Sequence, residues 1–126
     1  VVLLSLGTLV QAADIVEVAR GNSAQKPQQP QVAVDAQGVI HLVYGAGDSV
    51  FYCRSDDGKS FTSAHKLPGE YRLSLGMRRG PRIAVTESAI CVTLVGGPQG
   101  KGRDGDVLCV RSTDGGQSWS EPAKVN

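Results

Sequence analysis

Two stretches of this chain repeat one another, and a repeat of about 50 residues restricts the fold more than any other feature. The first copy runs Pro30-Gln31-Val32-Ala33-Val34-Asp35, turns at Ala36-Gln37-Gly38, and continues Val39-Ile40-His41-Leu42-Val43-Tyr44. After Gly45-Ala46-Gly47-Asp48 come Ser49-Val50-Phe51-Tyr52-Cys53-Arg54 and a polar turn ending at Phe61. The second copy opens at Pro81, turns near Glu87-Ser88, and carries apolar segments over 89–95 and 106–111 before a polar turn ending at Trp119. Pro30 and Pro81 stand 51 positions apart and Phe61 and Trp119 stand 58 apart, the longer polar break at 96–105 absorbing the difference.

Each segment is rich in Val, Ile, Leu or Tyr and is bounded by Gly, Pro or Asp, which predicts strands. After each aromatic comes a fourth, more polar segment, 62–68 and 120–125, carrying Pro68 and Pro122. Polar composition and proline suit a sheet edge. The first two segments of each unit are apolar on both faces, as in inner strands covered by neighbours. Four short strands per unit at this period predict an all-β β-propeller, here about two four-stranded antiparallel blades. The expected organisation is an incomplete signal peptide at 1–13, a lead-in at 14–29, one blade at 30–68 and another at 69–126. Two units cannot close a ring, and each blade needs a neighbour to bury its face. The expected partners therefore include the remaining blades of the same polypeptide.

Residues 1–13, VVLLSLGTLVQAA, form an apolar run ending in small residues before Asp14. This fits the apolar core and cleavage region of a secretory signal peptide, which places the protein in a secreted, periplasmic or extracellular location. An ordinary buried strand or helix is the alternative. A membrane span is disfavoured, because about 20 apolar residues are needed. The formal net charge is +1, so nothing recommends nucleic acid or an anionic membrane as partner.

Cys53, Cys91 and Cys109 make an odd count, leaving at least one thiol unpaired. Cys91 and Cys109 fall on neighbouring predicted strands, where a disulfide or two buried thiols are both open readings. No spacing calls for a metal or other cofactor. His41 and His65 have no partner nearby in sequence, which gives neither a catalytic role.

The turn Ser112-Thr113-Asp114-Gly115-Gly116-Gln117-Ser118-Trp119 fits Ser-x-Asp-x-Gly-x-Ser/Thr-Trp at every defined position. It resembles the Asp box, or BNR repeat, of the sialidase (neuraminidase) superfamily. The stretch from Arg54 to Phe61 reads as a degenerate copy, with Asp56 as the box acid, Gly58 as its glycine and Phe61 replacing Trp. The resemblance covers residues 30–126 and implies a six-bladed propeller of sialidase type. The box is a structural device: a short Asp accepts N–H bonds within its own turn, Gly supplies positive φ, and the aromatic is buried. Ser112, Asp114, Gly116, Ser118 and Trp119 are thus expected to build a turn rather than a catalytic site.

The resemblance also implies an exo-α-sialidase-like glycoside hydrolase acting on a sialoside, with arginines binding the sugar carboxylate. Chemistry is expected on the opposite face, at loops 45–48, 69–80 and 96–105. Arg78, Arg79 and Arg82 are candidate carboxylate ligands, because the planar guanidinium donates paired hydrogen bonds. Tyr71 is a candidate substrate contact, and Asp48 and Asp104 are candidate acid/base groups. No Tyr/Glu pair can be assigned as the nucleophile that sialidases use. The superfamily's Arg-Ile-Pro motif is absent, Pro81-Arg82-Ile83 holding the same residues in another order. The alternative function is a non-catalytic propeller that binds glycan or protein, since one scaffold hosts many activities. A truncated product without function of its own is a third reading.

Overall fold

The structure is a computed structural model that describes residues 14–21 and 25–126, so the expected leader at 1–13 lies outside the described residues. The described residues form an all-β fold in which every strand pairing is antiparallel. The first sheet runs β1 (Gln28–Val34), β2 (Ile40–Ala46), β3 (Ser49–Ser55) and β4 (His65–Lys66), in that spatial order. The second comprises β5 (Arg72–Leu73), β6 (Arg82–Val85), β7 (Ile90–Gly97), β8 (Asp106–Ser112) and β9 (Ala123–Lys124). Its path is β5-β7-β8-β9, with β6 also on β7. The eight strands expected from the repeat are present in meander order.

Turn chemistry sets the hairpins. Asp35 Oδ1 accepts the N–H groups of Gln37 and Val39, both at 2.9 Å, and Gly38 takes φ 84°. In the second sheet Thr86 Oγ1 takes over, accepting from Ala89 N at 3.1 Å. The fourth strands pair over two residues each, and hydrogen bonds from Thr62, Leu67, Ser120 and Val125 extend the contact on either side. Short edges beside proline are how a sheet avoids further pairing.

The segment 69–80, expected as a loop, contributes β5. Leu73 lies opposite Gly96 and Arg82 opposite Thr93, so β5 and β6 share one edge of β7 and the chain leaves it between them. β1 shows the same break in miniature, its register shifting between Gln28 and Gln31 while Gln29 takes φ 51°. Pro30 has no N–H to give the ladder, and a bulge is where an edge strand tolerates that.

Opposite residues in a register share a face. Val43 and Tyr52, with Val50 and Leu67, form the inner face of the first sheet; Ile90, Val92, Leu94 and Val110 form that of the second. These faces meet in the core, where the Tyr52 and Trp119 rings pack edge to face with centroids 4.9 Å apart. On the outer face of β1, Val32 and Val34 are 55% and 60% exposed, so that expected cover is absent among the described residues.

The registers also define two ends. Val34, Ile40 and Ser55, and likewise Val85, Ile90 and Ser112, mark one end, which holds the β1–β2 and β6–β7 turns and the polar turns at 55–61 and 112–119. The other end holds the β2–β3 turn, the β7–β8 connection and the excursion 74–81. The two sheets point the same way, because Leu73 N donates to Asp48 O at 3.0 Å across the loop end.

Candidate functional site

At the box end, both polar turns are built on one pattern. Ser112 Oγ donates to Asp114 Oδ1 at 2.8 Å and accepts from Gly116 N at 2.9 Å. Asp114 Oδ1 also accepts from Gln117 N at 3.0 Å and Ser118 N at 2.9 Å, while the Ser118 hydroxyl donates to Oδ2. In the first sheet the same bonds run from Ser55 Oγ to Asp57 Oδ1 at 3.1 Å, from Gly58 N to Ser55 Oγ at 2.8 Å, and from Ser60 N to Asp57 Oδ1 at 2.9 Å. The box acid of the first turn is therefore Asp57 and not Asp56. Ser55, which aligns with Ser112, is its serine, and the turn is one residue shorter between acid and glycine. Asp56 faces outward and pairs with Arg54, Nη2 to Oδ1 at 2.8 Å.

These bonds explain the carboxyl acidities. The Ser118 hydroxyl and N–H, then Ser112 and the Gln117 N–H, hold Asp114 down to about 2. The Ser60 and Lys59 N–H groups and the Ser60 hydroxyl hold Asp57 lower still. A carboxylate that accepts so many donors stays ionised and cannot serve as a proton donor near neutrality. Gly58, Gly115 and Gly116 take φ 70°, 71° and 89°, as the turns require. Trp119 and Phe61 are half-buried, and Trp119 Nε1 donates to Gly116 O at 3.2 Å.

Beside the boxes lies a polar chain that the sequence did not disclose. His41 is 2% exposed; its Nδ1 lies 2.8 Å from the Tyr52 hydroxyl and its Nε2 lies 3.2 Å from Asp35 Oδ2. In neutral His41, Nε2–H donates to Asp35 and Nδ1 accepts from Tyr52. The Tyr52 hydroxyl also lies 3.4 Å from Gly115 O, which accepts from Arg54 Nη1 at 3.2 Å. Desolvation raises the Asp35 carboxyl, but the bonds from His41, Val39 and Gln37 outweigh it and leave it below its ordinary value. Burial pushes Tyr52 up to about 12. Tyr52 is 1% exposed, so no substrate reaches it, and the chain acts as a pin between the first sheet and the second box. The polar cleft beside it, lined by Asp35, His41, Thr86 and Ser112, holds about 180 Å³, below the roughly 300 Å³ of a small-molecule pocket.

At the loop end the expected site residues come near one another but do not assemble as expected. Arg82 turns its guanidinium back on its own loop, Nη2 donating to Arg78 O at 2.9 Å and Nη1 to Pro81 O at 3.2 Å. Arg79 Nη1 reaches Gly102 O at 3.5 Å, joining the excursion to the β7–β8 connection. Arg78 and Arg79 are exposed, and Arg78 takes φ 71°. Asp104 is committed to its loop, accepting from Gln99 N at 3.0 Å and Gly100 N at 2.5 Å through Oδ2. Asp48 is exposed at the β2–β3 turn. Tyr71 belongs to the core at 9% exposure, and it also lines an open cleft of about 340 Å³ with Glu70, Arg72, Gly97 and Pro98. Its hydroxyl is buried with no partner at hydrogen-bond geometry; burial raises it, opposed by the nearby Val50 N–H.

Arg72, Lys101 and Arg103 join this end as exposed cations. Among the described residues none of Arg72, Arg78, Arg79, Lys101 and Arg103 is in an ion pair. Gln29 of β1 anchors the excursion, its Oε1 accepting from Gly76 N at 3.0 Å.

The three cysteines are free. Cys91 and Cys109 are half-buried diagonal neighbours across β7 and β8, and the Cys109 thiol is raised by burial and by Cys91. Among the described residues no group of three or more His, Cys, Asp or Glu could hold a metal ion, and no helix is long and apolar enough to cross a membrane. The chain matches no protein-family model, no curated protein and no solved structure.

Proposed function

We propose that the chain forms two blades of a β-propeller of sialidase type and that its loop end binds an acidic glycan. The fold reading is supported by how the sheets meet. Ile40 and Ile90 lie opposite the equivalent serines Ser55 and Ser112, which fixes the correspondence between repeats. The buried inner face of the second sheet (Val85, Ile90, Val92, Leu94) then corresponds to the outer face of the first (Val34, Ile40, Leu42, Tyr44). The inner face of the first (His41, Val43, Tyr52) corresponds to the outer face of the second (Cys91, Thr93, Cys109). The contact joins unlike faces in head-to-tail fashion, which is the type of contact that closes into rings.

The functional reading rests on one observation, five cations without an ion pair among the described residues, Arg72 on β5 and the other four on two loops joined by Arg79 and Gly102. Arginine favours carboxylate and other planar anions through paired charge-assisted bonds. A secreted or periplasmic location accompanies this reading on the strength of residues 1–13. Hydrolysis of an α-sialoside is the second reading, and Asp48 favours it as the exposed candidate acid at this end, Asp104 being held by its loop.

The test is a screen of the whole chain against neutral, sialylated and other acidic glycans. Arg78→Ala with Arg79→Ala is expected to weaken acidic-glycan binding about 10- to 100-fold, since hydrogen bonds to charged groups contribute about 1.5–3 kcal/mol. Equal binding of neutral and acidic glycans would end the proposal. Release of a fluorophore from a synthetic α-sialoside, lost in Asp48→Asn, would place hydrolysis ahead of binding.

A further inference from the structure

The two outer faces are the largest feature that neither the core nor the loop end absorbs. On the first sheet the outer face carries Val32, Val34, Ile40, Leu42, Tyr44 and Phe51, with Val32 and Val34 more than half exposed. The segment around Arg20, Gly21 and Pro27 borders this face at its loop end, beside Tyr44, Ala46 and Phe51, where Tyr44 is 8% exposed. On the second sheet Cys91, Thr93, Val95, Val107 and Cys109 face outward and are half-buried, and Val125 beside them is 58% exposed. Both faces are largely apolar; the first also carries Lys66, opposite Phe51, and the second carries Arg82, opposite Thr93, and Arg111, opposite Cys91.

We infer that the outer face of the first sheet in one copy of this chain docks on the outer face of the second sheet in another copy. This rests on the propeller reading above and names the partner. The argument is continuity with the interface already inside the chain. That interface joins a face of one repeat type to a face of the other, and the two left open are one of each type. Docking them repeats the internal contact. Gly116 and Trp119 lie against Tyr52 inside the chain; between copies, Gly58 and Phe61 of one lie against Cys109 of the next. The smaller residues agree in size: Phe61 replaces Trp119 where Cys109 replaces Tyr52. An association of unlike faces is not limited to two copies, and it closes wherever the rotation between sheets permits a ring.

The test measures solution mass at micromolar concentration for the whole chain and for Val34→Asp and Val95→Asp, each of which puts a charge on one outer face. The unsubstituted chain is expected to assemble from more than one copy. Each variant alone is expected to be monomeric, and an equimolar mixture is expected to form a dimer, because each retains the face the other lacks. Far-ultraviolet circular dichroism and Trp119 emission report folding, and Thr93→Lys replaces Val95→Asp if that variant does not fold. A monomeric unsubstituted chain would overturn docking between copies while leaving the propeller reading, with further blades in one polypeptide as the cover. A dimer that survives one of the two substitutions would show like faces pairing, and a mixture that stays monomeric would show that the two unlike faces do not dock; either result overturns the inference.

Discussion

Gly116 lies against the ring of Tyr52 so closely that a Cβ there would meet Tyr52 Oη at 2.3 Å and Cζ at 2.5 Å. One residue of the second box is thus fitted to one residue of the first sheet. Tyr52 in turn packs on Trp119 and holds His41, so the contact ties turn, core and buried polar chain together.

Gly116→Ala is expected to destabilise the chain by about 2–5 kcal/mol, combining overpacking of about 1–3 kcal/mol with about 1–2 kcal/mol for an L residue in the left-handed region. Gly76 separates the two effects: its φ is also 89°, and nothing lies within 4 Å of a Cβ there. Gly76→Ala should show the strain alone, about 1–2 kcal/mol. Urea unfolding of both variants checks this, and equal losses would mean that Gly116 does not abut Tyr52.

Tyr52→Phe keeps the ring and deletes the hydroxyl, leaving His41 Nδ1 buried without its partner. The expected loss at neutral pH is about 1–3 kcal/mol. Thermal unfolding measures it, and no change would show that His41 finds other company.

Alkali should destabilise the fold through two buried acids. Burial raises Tyr52 from 10.0 to about 12 and Cys53 from 9.0 to about 11. A group whose folded pKa is raised contributes stability that is complete below its unfolded value and is lost as pH rises through the folded one. The Cys53 contribution therefore fades between pH 9 and 11 and that of Tyr52 between pH 10 and 12. Stability against pH should fall less steeply above pH 10 in Tyr52→Phe; an unchanged slope would refute the Tyr52 contribution.

Acid acts on the boxes with the opposite sign. The folded pKa values of Asp57 and Asp114 are depressed, so their contribution is present above the ordinary value of 3.8 and is lost as pH falls through the folded values, about 2 for Asp114. Asp57→Asn should reduce stability at pH 7 and flatten the acid limb, whereas Asp56→Asn should do neither. Chemical unfolding at pH 7 and at pH 3 distinguishes them, and the reverse result would restore Asp56 as the box acid.

Tyr71→Phe is expected to be neutral or stabilising by about 1 kcal/mol, because it removes a buried hydroxyl without a partner. Glycan binding should be unchanged. A selective loss of binding in a folded variant would place Tyr71 in the loop-end site.

The strands other than β5, their order and both polar turns were legible in the sequence because strand propensity and turn chemistry are local, and a repeat displays each signal twice. The full box was readable from Ser112 to Trp119 for the same reason. What stayed hidden depends on register and on contacts between distant segments. Asp56 and Asp57 both stand in a degenerate box, and only the bonds from Ser55, Lys59 and Ser60 show which carboxylate the turn uses. His41 looked solitary because Asp35 and Tyr52 reach it across strands. Tyr71 looked like a loop residue until β5 carried it into the core. Along the chain, spacing and composition determined the all-β meander; tertiary structure decided which side chains meet, since which face a residue occupies depends on how strands pair and sheets stack.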